Sequence, residues 1–238
     1  MRSMANDHDQ RLDARGASWI RRAAVAGAAL TTLHLIWLRP RLMTLGATDV
    51  EAQRHLPGDD KVPEAQIHGT RAVTIDAPPE DVWPWIAQMG YRRAGWYAFD
   101  FADNSGIPSS DRIIPDLQHP EVGDVIGEEG YTIARIEPPS LLLLELQHPH
   151  AEWVRKEGLW PRFGHSTWAF VLEPLDGGRR TRLLTRLHYY VPFGLHVVYW
   201  PMFELVDYVL QPVMLRNIKA RAEAATSPRA STASRSAT

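Results

Sequence analysis

From Pro201 to Ala224 the chain carries a helical pattern with no broad polar face. Met202, Phe203, Leu205, Val206, Val209, Leu210, Val213, Met214 and Ile218 spread apolar surface over more than half the circumference at 3.6 residues per turn. Pro201 suits the first turn, where no N–H is needed, and Arg216, Lys219 and Arg221 sit near the negative end of the helix dipole. A helix of this kind has to be enclosed, so the preceding chain must provide a concave surface to hold it.

The preceding chain reads as strands. Val122–Gly127, Tyr131–Ile136 and Leu141–Gln147 are separated by Gly130 and by Glu137-Pro138-Pro139. Ser166–Glu173 and Arg180–Tyr190 flank Asp176-Gly177-Gly178, a turn in which glycine supplies the positive φ. In the second arm Leu183, Thr185, Leu187 and Tyr189 alternate with Arg182, Leu184, Arg186 and His188, which predicts one face turned inward and the other toward solvent. An antiparallel sheet follows.

Gly69–Asn104 adds a strand, a turn, a helix and an aromatic cluster in succession. Val73 and Ile75 alternate with Thr74 and Asp76, and Pro78-Pro79 ends the strand. Pro79, Glu80 and Asp81 open a helix expected to run to about Met89, with Gly90 as its stop. Trp96, Tyr97, Phe99 and Phe101 follow, mixed with Asp100, Asp103 and Asn104, a composition suited to a cavity wall.

The order TRAVTIDAPPEDVWPWIAQMG, AGWYAFDFADN and SSDRIIPDLQHPEVGDVI resembles a bacterial, membrane-anchored branch of the START-like (SRPBCC) superfamily of polyketide cyclase and lipid-transport proteins. LGATDVEAQRHLPGD and PVMLRNIKARAEA extend the resemblance over roughly Leu45 to Ala224. It implies an α+β helix-grip (Bet v 1-like) fold, in which a curved antiparallel sheet wraps a long C-terminal helix and leaves an apolar cavity. The expected organisation is a disordered tail over 1–17, a hydrophobic helix over 18–39, a linker over 40–68, the START-like domain over 69–225 and a second disordered tail over 226–238.

Ala23–Leu38 has no charged residue and lies between Arg21-Arg22 and Arg39-Pro40-Arg41. It reads as a membrane anchor, spanning or interfacial, although 16 residues at ~1.5 Å each reach about 24 Å against a hydrocarbon core of ~30 Å. A cleaved export signal or a helix packed on the domain through Trp19, Ala26, Leu30, Leu33 and Trp37 are the other readings. The expected location is the membrane, with the cytoplasm as the alternative; arginines at both ends leave the orientation open.

Composition removes several classes. With no cysteine, disulfides and thiolate chemistry are excluded, and a net charge of −2 without a basic, aromatic-interleaved run gives no case for nucleic acid. No phosphate loop, G-x-S-x-G or H-E-x-x-H occurs. His148, His150 and Glu152 are close enough in sequence to suggest a metal, but Pro149 between the histidines favours an exposed turn, so neither metal nor cofactor is expected. Asp100 with Asp103, Tyr97 and His165 are candidates for proton transfer, each weighed against a local structural role.

The leading expectation is binding or transfer of a hydrophobic small molecule or lipid without catalysis. The expected lining is Trp96, Tyr97, Phe99, Asp100, Trp168, Phe170, Met202, Phe203, Val206 and Val209. A polyketide cyclase or dehydratase using the same cavity, and a membrane-tethered interaction module with a filled core, are the alternatives.

Overall fold

A computed structural model describes residues 19–126, 130–146, 165–190 and 196–235, with side-chain detail in the last helix confined to 207–226. His148, His150 and Glu152 lie outside the described residues, as do the side chains of Met202, Phe203 and Val206. The chain forms two units, Met1–Leu42 and Met43–Thr238.

In the first unit α1 (19–33) runs into a π-helical turn, His34–Leu38, and then into α2 (Arg39–Met43). Pro40 has no N–H to donate and its ring crowds the carbonyl four residues back, so a wider turn immediately before it relieves both problems. The expected membrane span is corrected here. Among the described residues no helix is long and apolar enough to cross a membrane. Ala23–Leu38 is only 16 residues long, Gly27, Thr31, Thr32 and His34 dilute its hydropathy, and a longer window takes in arginine at either end.

In the second unit six antiparallel strands form one sheet in the order β1-β6-β5-β4-β3-β2. They are β1 (Ile67–Ile75), β2 (Val125–Ile126), β3 (Tyr131–Glu137), β4 (Leu141–Leu146), β5 (His165–Leu175) and β6 (Arg180–Tyr190). The β5–β6 hairpin turns through Asp176–Gly178, where Gly177 and Gly178 take φ of 69° and 85°. A register shift between Ile133 and Arg135 puts one extra residue into β3, a bulge that bends the strand.

Two helices pack on the inner face: α4 (Pro79–Gln88) and the long α6 (His196–Arg235). Val82, Trp85, Ile86 and Met89 are buried, as the helical spacing predicts, together with Phe170, Leu172, Leu183, Met214, Ile218 and Ala222. Each fully buried Leu, Ile or Phe contributes about 1.5–3 kcal/mol relative to exposure. This is the helix-grip α+β fold.

The outer face differs from the sequence expectation. Leu184 is wholly buried and Arg186 and His188 nearly so, because the segment 44–66 lies across them as a strap. Leu45 O accepts a hydrogen bond from Ala72 N at 3.3 Å, partly covering the β1 edge. Gly46, at φ +78°, passes so close that a Cβ would stand 2.2 Å from Ala72 O. Thr48 caps α3 (Asp49–Gln53) in a capping box with Glu51. Glu51 then forks onto Arg182 at 2.7 and 2.8 Å, which holds its carboxyl down to about 2. Arg186 donates to the carbonyls of Glu51, Ala52 and Arg54, so a guanidinium from the sheet occupies acceptors that the end of a short helix leaves open.

Candidate functional site

Strand register divides the inner face into three zones. Toward one end, Ile75, Leu183 and Leu172 meet Met214 and Ile218 in a closed apolar core. In the middle Arg71, Thr185 and Phe170 lie side by side on β1, β6 and β5. Arg71 Nη2 donates to Asp207 Oδ2 at 2.5 Å, Gln211 Nε2 donates to Asp207 Oδ1, and Thr185 Oγ1 donates to Gln211 at 3.1 Å. This buried polar girder ties α6 to the sheet. Beyond it lie Leu187, Trp168 and Leu144, then Tyr189, Ser166 and Leu146.

That third zone is aromatic and carries polar atoms. Trp168 stacks on Trp96 with centroids 5.4 Å apart and planes at 25°. It also meets Phe170 at 4.9 Å and Tyr131 at 6.0 Å. The Tyr131 hydroxyl pairs with Ser166 Oγ at 3.0 Å, and burial pushes the Tyr189 phenol up to about 12. The indole N–H of Trp168 is buried and has no acceptor among the described residues. An unsatisfied buried donor costs about 1–3 kcal/mol, and the indole nitrogens of both Trp85 and Trp168 are in that position.

The other expected lining residues are placed differently. Tyr97 is in the core rather than on an open wall. Its hydroxyl accepts from Gln88 Nε2 at 2.9 Å, Arg221 lies 4.9 Å over its ring, and its carbonyl accepts from Asn217 at 2.8 Å. Burial raises the phenol to about 12. Gln88 is itself wholly buried and saturated, donating also to Arg112 O and accepting from Ile114 N and Gln118 Nε2. Phe99 and Val209 stand 45% and 44% exposed and are not part of the buried aromatic cluster.

The proton-transfer candidates do not converge. Asp100 accepts from Ser109 Oγ at 2.5 Å within its own loop. Asp103 accepts from Phe99 N at 3.1 Å around the short α5 (Asp100–Asp103), and burial raises its pKa. His165 belongs to the outer alternation of β5, with Nε2 3.5 Å from Glu145 on β4. Tyr131, Ser166 and Tyr189, which border Trp168 and one another, are not among the expected lining residues. The alternation that already groups Tyr189 with Leu187 extends across the hairpin to Ser166, which pairs with Tyr189.

Sheet order, bulge and enclosed helix define the class: an α+β helix-grip protein with an aromatic zone beside a buried polar girder. No family model matches the chain, and no curated protein matches it. Among solved structures, a protein from Nitrosomonas europaea is similar at 10% identity and a TM-score of 0.41, with 67% of this chain and 96% of that one covered. CalU16 from Micromonospora echinospora is similar at 17% identity and a TM-score of 0.31, covering 66% and 84%. DynU16, a protein in the dynemicin biosynthetic locus, is similar at 12% identity and a TM-score of 0.37, covering 64% and 47%.

Proposed function

We propose that this chain is a START-like protein that binds an apolar small molecule or lipid at the Trp168 end of the grip, between the sheet and the first half of α6. One observation carries the reading. Three aromatic rings, those of Trp96, Tyr131 and Phe170, meet Trp168, whose indole N–H has no acceptor among the described residues, beside the Tyr131–Ser166 hydroxyl pair. Burial of the ligand's apolar area, at ~25 cal/mol per Å², supplies the affinity, and the few polar atoms fix its orientation.

The reading is of binding rather than turnover. Asp100, Asp103 and His165 hold partners within their own loop or on the outer face, and the Tyr97 phenol is locked by Gln88. Catalysis by those groups would need them at one substrate atom. The test is a titration of the full chain with long-chain ketones and alcohols, followed by tryptophan emission. Saturable quenching that Trp168→Ala abolishes supports the site. Titration curves identical in wild type and Trp168→Ala count against it.

A further inference from the structure

We propose that the N-terminal helix is a second binding surface, which lies in the plane of an anionic membrane instead of crossing it. Trp19, Leu30, Leu33 and Trp37 are 63%, 67%, 56% and 53% exposed, and the first three recur at spacings that place them on one side of α1. Ile36, on the π-helical turn, is 73% exposed. Ile20, Val25, Leu35 and Leu38 are exposed as well, and so much exposed apolar surface on one segment marks a partner surface rather than ordinary scatter.

Charge selects the partner. Arg21 and Arg22 precede Leu30, Leu33 and Trp37, Arg39 and Arg41 follow them, and no aspartate or glutamate occurs from Trp19 to Thr48. A helix with that composition suits the boundary between anionic headgroups and acyl chains, with its apolar side ~5–10 Å deep. Two local details lower the cost of entry. Thr32 Oγ1 already donates to Ala28 O at 2.8 Å, so its hydroxyl brings no unsatisfied donor into the interface. Arg41 donates to Trp37 O at 2.7 Å and stacks 4.3 Å over the Trp37 ring, pairing an interfacial aromatic with a cation. The length and arginine content that prevent a span suit this in-plane placement.

The experiment is co-sedimentation of the full chain with vesicles of phosphatidylcholine alone or containing about one-third phosphatidylglycerol, at low and high salt. Binding is expected on the anionic vesicles only and is expected to weaken with salt. An arginine near such a surface is worth about five-fold, so Arg21→Gln with Arg22→Gln should lower partitioning roughly ten-fold or more. Leu30→Ser with Leu33→Ser should remove it, and urea unfolding of the second unit should not move. Equal binding to both vesicle types overturns the proposal, as does no binding at all. Retention through salt and carbonate washing overturns the in-plane geometry. Oligomers in sedimentation velocity that Leu30→Ser with Leu33→Ser dissolves would instead assign the stripe to a second copy of the chain.

Discussion

Replacing Arg186 with methionine removes the main fastener between the sheet and its strap. The guanidinium is 6% exposed and donates to Thr70 Oγ1 at 2.9 Å, Asp59 Oδ2 at 2.7 Å and the carbonyls of Glu51, Ala52 and Arg54 at 2.8, 2.9 and 2.8 Å. Methionine keeps most of the apolar stem and none of the donors. Hydrogen bonds to a charged group are worth ~1.5–3 kcal/mol each but do not sum, and breaking a buried pair from one side costs about 3–5 kcal/mol. We expect a loss of about 3–5 kcal/mol in urea unfolding, or roughly 6–20 °C in Tm.

The same variant has a pH signature. His188 lies 3.6 Å from Asp59 Oδ1 and edge-on to His68 with ring centroids 4.7 Å apart. Its pKa is held down to about 4, first by burial, then by His68, Arg186 and His55 acting against the pull of Asp59. A base depressed in the folded state keeps its full contribution above pH 6.5, its ordinary value, and loses it as pH falls toward 4. Without Arg186, Asp59 raises the His188 pKa and the acid loss shrinks. The gap between wild type and Arg186→Met should therefore be smaller at pH 5 than at pH 8. A stability change under about 1 kcal/mol, or an equal gap at both pH values, refutes the reasoning.

Gly46→Ala should destabilise the fold by roughly 1–3 kcal/mol, because the new Cβ meets Ala72 O at 2.2 Å and φ is +78°; thermal unfolding measures it. Glu51→Gln should cost about 1–3 kcal/mol at neutral pH. The Glu51 pKa lies near 2, below its ordinary 4.5, so the wild-type advantage should fade as pH falls below 4.5 and vanish near 2 in urea titrations. Gln88→Leu strands Ile114 N and the Tyr97 hydroxyl in the core, and a loss of ~2–4 kcal/mol in denaturant unfolding is expected.

What could be read from the chain follows from how local each signal is. The β5–β6 hairpin was legible because Asp176-Gly177-Gly178 needs positive φ at its glycines and because strict alternation puts Leu183 and Thr185 on the inner face. Arg182, Arg186 and His188 alternate just as clearly, but alternation separates two faces without saying what covers them. Their covering segment, 44–66, has no period because arginines bonded to its carbonyls and carboxylates hold it. Trp96, Trp168 and Phe170 were recognisable as lining candidates, and the structure brings them together. Phe99 and Asp100 open the single turn of α5, too short to carry a period that predicts direction, and Ser109 holds Asp100 there. The girder of Arg71, Asp207 and Gln211 depends on residues 136 positions apart and left no local trace.

The most direct test of the binding site is native mass spectrometry, with solvent extraction, of the full chain and of Trp168→Ala purified from the native source. The account predicts one discrete apolar molecule carrying a hydrogen-bond acceptor, bound one to one in the wild type and absent from the variant. A wild-type chain that is empty and takes up no long-chain ketone or alcohol would contradict it.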